Sequence, residues 1–167
     1  FGDGSKFEIE LSYIEQKKPG GTADAASLVE DYVGHEDFIL SNGDVLVRRE
    51  DYKKLVASYS AETPEATVAA YRVEDPSQFG IVESTSHHEV TKIIEKPAPG
   101  QTQSNLANCG IYVFSSKIFG AIKRTSRSSR GEYEITESIQ HLIDRMSGRV
   151  TVHELSLIHI SEPTRPY

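Results

Sequence analysis

The strongest constraint on the fold is an alternation of strand-like and helix-like apolar patterns along the first half of the chain. Residues 38–40 form a short, continuous apolar run, which is typical of a strand buried on both faces. Apolar residues at helical spacing lie on either side of it, over residues 22–33 and 52–59. Alternation at residues 7–13 and an apolar segment at 66–73 predict two more strands. Alternating strands and helices build an α/β fold, in which helices cover a sheet.

The pattern changes in the second half of the chain. Residues 79–83 and 89–95 predict two consecutive strands joined by a polar tip, which would form an antiparallel insertion. A loop over residues 96–106 leads to a strand at 108–114, and helical spacing returns over 133–146. The length of 167 residues corresponds to one domain.

Composition excludes several classes of function. The net charge of -7 argues against a nucleic-acid partner, and no apolar stretch approaches the roughly 20 residues of a membrane span. The single cysteine, Cys109, forbids an intrachain disulfide and is typical of a reducing cytoplasm. The sequence has neither a P-loop nor the glycine fingerprint of dinucleotide-binding proteins. We therefore expect a cytoplasmic protein with neither a nucleic-acid nor a membrane partner.

The loop before the first predicted helix has the features of a ligand-binding loop. Gln16 offers a paired donor and acceptor, which suits the edge of a base. Gly20 and Gly21 would let backbone amides approach a ligand, and Thr22 is placed to cap a helix whose amino end carries partial positive charge. A plain strand-to-helix turn explains the same residues, so the pattern leaves both interpretations open.

Asp44 follows the predicted buried strand at residues 38–40. Ligands of open α/β sheets bind at the carboxyl ends of strands, where a carboxylate is a reasonable ligand for Mg²⁺ on phosphates. The preceding Asn42-Gly43 is also a strong hairpin dipeptide. A metal ligand and a simple turn therefore remain equally open.

Glu95 and Lys96 end a predicted strand, and Pro97 favours an extended backbone at Lys96. A lysine suits a phosphate and a glutamate suits sugar hydroxyls, although a surface ion pair is the simpler explanation. Two neighbouring features also have simple explanations. Cys109 is interpreted as a small core residue. Arg130 and its neighbouring arginines could suggest phosphate binding, although a solvated loop before a helix is the simpler explanation.

Seven sequence blocks, in this order, resemble the sugar-1-phosphate nucleotidylyltransferases. The blocks are FGDGSKF from Phe1, QKKPGGTADA from Gln16, NGD from Asn42, FGIVE from Phe79, IIEKP from Ile93, LANCGIYVF from Leu106 and RGEYEIT from Arg130. The resemblance covers residues 1–154. It implies a Rossmann-like three-layer α/β/α nucleotidyltransferase fold with a mixed sheet and an antiparallel insertion.

The resemblance also implies a reaction. A nucleoside triphosphate, dTTP or UTP, and a sugar 1-phosphate would give a nucleotide sugar and pyrophosphate with Mg²⁺ as cofactor. The sugar would be glucose 1-phosphate or N-acetylglucosamine 1-phosphate, and the full-length enzyme would be a homo-oligomer. A non-catalytic homologue that senses nucleotide sugars is the alternative.

Each candidate residue gains an implied role from the family. Gln16 and the backbone of Gly21, with Thr22 beside them, would read a uracil or thymine base. Asp44 would hold Mg²⁺ and, with Lys96, would be catalytic. The sugar phosphate would be bound by Gly80, Glu95, Lys96 and Asn108.

The two ends of the chain differ from a complete family domain. Residues 1–154 are interpreted as a partial nucleotidyltransferase domain, without the first glycine-rich strand-loop-helix unit and its triphosphate-binding Arg and Lys. Residues 155–167 resemble the translation of an adapter used in DNA library preparation, and are interpreted as a non-native tail. The second Mg²⁺ ligand of the family would lie downstream. We therefore expect the polypeptide as written not to turn over substrate.

Overall fold

A computed structural model describes residues 1–155 of the chain, which form a six-stranded sheet with helices on both faces. The helices are α1 Thr22–Ser27, α2 Glu30–Val33, α3 Arg49–Glu62, α4 Lys117–Ile122 and α5 Ile135–Met146. The strands are β1 Phe38–Ser41, β2 Ala66–Arg72, β3 Gly80–Ser84, β4 Val90–Glu95, β5 Leu106–Phe114 and β6 Val150–Glu154. Within residues 1–155, no helix has the length and apolar character needed to cross a bilayer.

The sheet is mixed, as the sequence predicts. Its strands lie in the order β4-β3-β5-β2-β6, and β1 also pairs with β5. β2 and β6 are parallel, whereas the pairs that β5 makes with β1, β2 and β3 are antiparallel. β3 and β4 form the predicted antiparallel insertion. The long strand β5 therefore joins the insertion to the rest of the sheet.

Helices cover the sheet on both faces and make three layers. The larger core cluster lies between the sheet and helices α1, α4 and α5, and includes Ile118, Ile139 and Leu142. A smaller cluster on the opposite face contains Leu55 and Tyr59 of α3. Residues 66–70 of β2 are all buried, as expected for a strand covered on both sides. The α/β/α architecture implied by the sequence is confirmed.

The prediction of a strand at residues 7–13 is wrong. Ser5–Phe7 forms a 3-10 turn, and residues 8–13 belong to no strand. The N–H of Leu11 donates to the carbonyl of Asp3 at 2.8 Å, within the same segment. Phe7 and Ile9 remain more than half exposed. The alternating pattern does not produce a strand here because its backbone bonds locally and no strand within residues 1–155 pairs with it.

Two further expectations fail around the first helix. The segment predicted as one helix over residues 22–33 is split into α1 and α2. The Ser27 hydroxyl donates to the carbonyl of Asp24 at 2.6 Å, a local bond that competes with helix continuation. β1 is only half-buried, because it pairs with β5 alone among the described residues and therefore lies at an edge.

The boundary at Leu155 falls inside the core. Leu155 is buried in the same cluster as Leu55, and its N–H donates to the carbonyl of Ala70 at 2.8 Å. The rest of the segment interpreted as a tail, residues 156–167, lies outside the described residues.

Candidate active site

One cavity of about 280 Å³ brings together residues from distant parts of the sequence. Five of the eight site residues predicted from the sequence line it, and they come from five separate segments: Thr22, Asp44, Gly80, Glu95 and Asn108. Gln16 and Gly21 lie beside this lining set in the loop that precedes α1, and Lys96 follows Glu95 at the end of β4. The fold therefore places the predicted nucleotide-binding loop before α1 next to the predicted sugar-phosphate residues of β3, β4 and β5.

The loop before α1 is held by its own side chains. Gln16 Nε2 donates to a carboxylate oxygen of Asp24 at 2.6 Å and to the carbonyl of Gly21 at 3.3 Å. Gly21 has a φ of 106°, in the left-handed range that favours glycine. The amide of Gln16 is thus fixed within the loop predicted to read a base.

Backbone hydrogen bonds join this loop to the segment before α5, and we call residues 20–23 and 133–135 together the loop wall. Tyr133 N–H donates to the carbonyl of Gly20 at 2.7 Å, and Ala23 N–H donates to the carbonyl of Tyr133 at 2.9 Å. A β-carbon on Gly21 would lie 2.5 Å from the Tyr133 carbonyl oxygen. The loop wall therefore depends on a glycine at position 21.

Thr22 has a different role from the predicted helix cap. Thr22 is the first residue of α1 and Gly21 is the N-cap, so Thr22 lies one position past the cap. Its hydroxyl instead accepts a hydrogen bond from Ile135 N–H at 2.9 Å. The hydroxyl satisfies a backbone donor at the start of α5, so Thr22 stabilises the contact between the two segments.

Asp44 is exposed and lines the cavity. Two residues earlier, Asn42 N–H donates to the carbonyl of Gly110 at 2.9 Å. Its carboxylate oxygens are the type of ligand that Mg²⁺ prefers. No group of three or more potential metal ligands gathers within residues 1–155. One carboxylate that shares the ion with substrate phosphates and water fits the donor set present.

Gly80 and Glu95 lie opposite each other on β3 and β4. A β-carbon on Gly80 would lie 2.9 Å from Glu95 Oε2, so the glycine leaves room for the carboxylate. Burial raises the pKa of Glu95, and the nearby Arg130 guanidinium only partly offsets this effect. Glu95 is therefore a partly desolvated acceptor at the cavity wall.

Arg130 and Glu134 line the cavity but are not among the predicted site residues, although the sequence left phosphate binding by Arg130 open. Arg130 carries the positive charge among the described residues that line the cavity. Its Nη2 lies 2.7 Å from Glu134 Oε1 and 3.8 Å from a carboxylate oxygen of Glu95. The i, i+4 spacing of Arg130 and Glu134 was the available signal. We call Glu95, Arg130 and Glu134 the charged wall.

Asn108 is anchored within its own strand. Its Nδ2 donates to the buried Tyr112 hydroxyl at 2.6 Å, and its Oδ1 accepts from Gly110 N–H at 3.0 Å. Cys109 is buried beside it, and burial raises the pKa of the thiol to about 11. The cysteine is therefore a core residue with an inert thiol, which agrees with the sequence interpretation.

Lys96 departs from the predicted geometry. Its φ of 44° is left-handed rather than extended, and its N–H donates to the carbonyl of Phe79 at 3.0 Å. This bond closes the open end of the β3–β4 pair and overrides the preference that Pro97 imposes. Lys96 is exposed and does not line the cavity.

The cavity combines carboxylates, a guanidinium and side-chain amides, and the start of α1 contributes Thr22 to its lining. Such a lining is suited to a small ligand that carries both phosphate and hydroxyl groups. Fold and cavity thus define an α/β protein with a site for a small polar ligand.

The chain belongs to the nucleotidyl transferase family, whose sequence model matches residues 1–155. It is 42% identical over 143 residues to the low-salt glycan biosynthesis nucleotidyltransferase Agl11 of Haloferax volcanii. It is 39% identical over 143 residues to a glucose-1-phosphate thymidylyltransferase of Streptomyces griseus. Each alignment covers 86% of this chain and 39% of the relative, so the chain spans about two fifths of the length of these relatives.

A solved structure supports the same assignment. The chain is similar to a Bacillus anthracis protein named as a glucose-1-phosphate thymidylyltransferase and crystallised in complex with a sucrose, with a TM-score of 0.78 and 32% identity. The match covers 93% of this chain and 61% of the other. The α/β fold is therefore shared over nearly all of the chain.

Proposed function

We propose that the complete protein transfers a nucleotidyl group from a nucleoside triphosphate to a sugar 1-phosphate, with release of pyrophosphate. The observation that carries the proposal is the gathering of Asp44, Glu95, Asn108 and Arg130 around one cavity beside the loop wall. The names of the relatives support the same class of reaction. The -7 charge and the lone cysteine are compatible with a reaction in the cytoplasm.

In this reaction an oxygen of the sugar phosphate attacks the α-phosphorus of the nucleotide. The new P–O bond forms as the bond to the pyrophosphate oxygen breaks, and the pyrophosphate leaves with the electron pair. The protein contributes mainly position and charge stabilisation to such a transfer. Mg²⁺ would neutralise phosphate charge when bound, and Asp44 is the residue that would hold it.

The charged wall would bind the sugar phosphate. Arg130 offers guanidinium donors to the phosphate, and its ion pair with Glu134 holds the group at the cavity. Glu95 would accept bonds from sugar hydroxyls, with Gly80 and Asn108 beside it. Lys96, the next residue after Glu95, would add positive charge near the phosphate.

The loop wall would bind the nucleotide. Gln16 and Gly21 are proposed to read a uracil or thymine base, and Thr22 would stabilise the loop at the cavity. The name of the Streptomyces relative favours dTTP and glucose 1-phosphate over UTP and N-acetylglucosamine 1-phosphate. We also propose a homo-oligomer for the complete protein, and light scattering after size exclusion tests this.

The test is pyrophosphate release by the complete protein with Mg²⁺ and all four pairings of these nucleotides and sugar phosphates. We expect release with at least one pairing, and loss of release in Asp44→Asn. Glu74→Gln, at an exposed site outside the cavity, is the matched control. Binding of a nucleotide sugar without any pyrophosphate release would instead identify a non-catalytic sensor.

A further inference from the structure

β5 is irregular at the cavity. Val68 of β2 pairs with Tyr112, and Ala70 pairs with Asn108, so two steps along β2 face four steps along β5. The extra length forms a bulge over residues 109–111. At the bulge, Gly110 N–H donates to the Asn108 side chain at 3.0 Å. Bulges often redirect side chains beside active sites.

Gly110 also contacts the loop that contains Asp44. The Gly110 carbonyl accepts from Asn42 N–H at 2.9 Å, directly after the paired residues Ser41 and Ile111. Gly110 has a φ of 76°, and a β-carbon there would lie 2.8 Å from Asn42 Cγ. The Asn42 side chain therefore occupies the space that any larger residue at position 110 would need.

We propose that Gly110 and Asn42 form a positioning pair that fixes Asp44 relative to Asn108 across the cavity. The N–H of Gly110 orients the Asn108 side chain. The Gly110 carbonyl accepts from Asn42 N–H, and the absence of a side chain on Gly110 leaves room for the Asn42 side chain. Only Gly43 separates Asn42 from Asp44, so the position of Asn42 limits where the Asp44 carboxylate can lie. This inference rests on the proposed function, because it assigns the pair to the positioning of a metal ligand.

The first test is Gly110→Ala in the complete protein, measured as Mg²⁺-dependent pyrophosphate release. We expect kcat to fall about 100-fold, because displacements of about 1 Å have effects of this size. The Mg²⁺ concentration for half-maximal activity should rise about tenfold, as for other changes to the support of a metal ligand. Gly100→Ala is the matched control, since Gly100 has a φ of 79° and nothing within 4 Å of an added β-carbon. The control carries the same backbone cost without the collision, and its activity and Mg²⁺ dependence should not change.

The second test is rescue by a second substitution. The three atoms nearest to an added β-carbon on Gly110 all belong to the Asn42 side chain. Asn42→Gly alone should cause a smaller rise in the required Mg²⁺ concentration. The double variant Gly110→Ala with Asn42→Gly should match Asn42→Gly alone, because the collision has been removed.

A readout independent of turnover is the amide NMR spectrum of each variant. In the wild-type protein with dTTP, Mn²⁺ should broaden the Asp44 signal, and this broadening should weaken in Gly110→Ala and persist in Gly100→Ala. Thermal unfolding of every variant shows whether it is folded at the assay temperature. If Gly110→Ala is not folded, the Mg²⁺ dependence of Asn42→Gly tests the inference instead, because position 42 is exposed and this variant should fold.

Three results would overturn the inference: equal activity of Gly110→Ala and Gly100→Ala, a double variant no better than Gly110→Ala, or unchanged Mg²⁺ dependence in Asn42→Gly. Failure of the proposed function looks different, because the wild-type protein itself would then release no pyrophosphate. A wild-type protein that is active but insensitive to Gly110→Ala overturns the positioning pair alone.

Discussion

The loop wall and the charged wall of the cavity are built by different kinds of interaction. The loop wall is fixed by backbone hydrogen bonds that join Tyr133 to Gly20 and Ala23, and by the absence of a side chain on Gly21. The charged wall is fixed by side-chain charges around Arg130, which is 45% exposed and pairs with the buried Glu134. Substitutions in the loop wall should therefore act through shape, whereas those in the charged wall should respond to charge and pH.

The largest effect is expected for Gly21→Ala. Its β-carbon would meet the Tyr133 carbonyl oxygen at 2.5 Å and the Tyr133 nitrogen at 2.7 Å, so the two segments must move apart. We expect nucleotide affinity to fall about 100-fold, since positioning errors of this kind are costly. Calorimetric titration with dTTP or UTP measures it. Gly100→Ala is the control, and equal affinities in the two variants would show that the loop wall does not bind the nucleotide.

Arg130→Gln should have the next largest effect. It removes the cavity cation and leaves Glu134 buried without its ion-pair partner. The loss of a charge-assisted hydrogen bond corresponds to a rise of about 30-fold in KM for the sugar phosphate. Steady-state kinetics measure the change, and the exposed Arg124→Gln is the control. An effect on the KM of the nucleotide alone would reassign Arg130 to the other substrate.

Thr22→Val tests the single hydroxyl in the contact between the two segments of the loop wall. The substitution keeps the side-chain shape but removes the acceptor for Ile135 N–H. We expect a loss of about 1 kcal/mol in the free energy of unfolding, measured by urea denaturation. Thr22→Ser retains the hydroxyl oxygen and should therefore keep most of the unfolding free energy that Thr22→Val loses. If the serine and valine variants are equally stable, the hydrogen bond contributes nothing.

The smallest effect concerns Glu95 and pH. Burial raises the pKa of Glu95 in the folded protein, so the folded state binds this proton more tightly than the unfolded state. The resulting penalty on folding is absent below the ordinary glutamate pKa and fully present above the raised pKa. Glu95→Gln should therefore raise Tm slightly at pH 7, and the gain should disappear as the pH falls to 4. A gain that does not depend on pH would mean that the charge of Glu95 is not its cause.

Much of the sheet could be predicted from the sequence because its strands are apolar on both faces or flank a short turn. The β2 prediction at residues 66–73 and the β3–β4 insertion agree closely with the structure. An alternating apolar pattern also predicts a strand at residues 7–13, where none forms. Periodicity shows which face of a strand would be buried, but it does not show whether a neighbouring strand is present to pair with it.

The charged wall was harder to predict because it depends on distant parts of the chain. Arg130 lies in a loop, and its interaction with Glu95 joins positions 35 residues apart in sequence. The four-residue spacing could suggest the ion pair between Arg130 and Glu134, but it could not show that both residues line a cavity. The left-handed backbone of Lys96 likewise follows from its hydrogen bond to Phe79 rather than from Pro97.

The parallel pairing of β2 with β6 has a consequence for synthesis of the chain. Thr67 and Thr151 share a buried hydrogen bond, although 84 residues separate them. At about 5–20 residues per second, a ribosome needs roughly 4–17 s to make that interval. During this time β2 has an open edge, which exposes an apolar strand to unwanted pairing. We expect β2 in nascent chains to resist proteolysis only once residues 150–154 have left the ribosome, because β6 then covers this edge of β2 and ends its exposure to unwanted pairing.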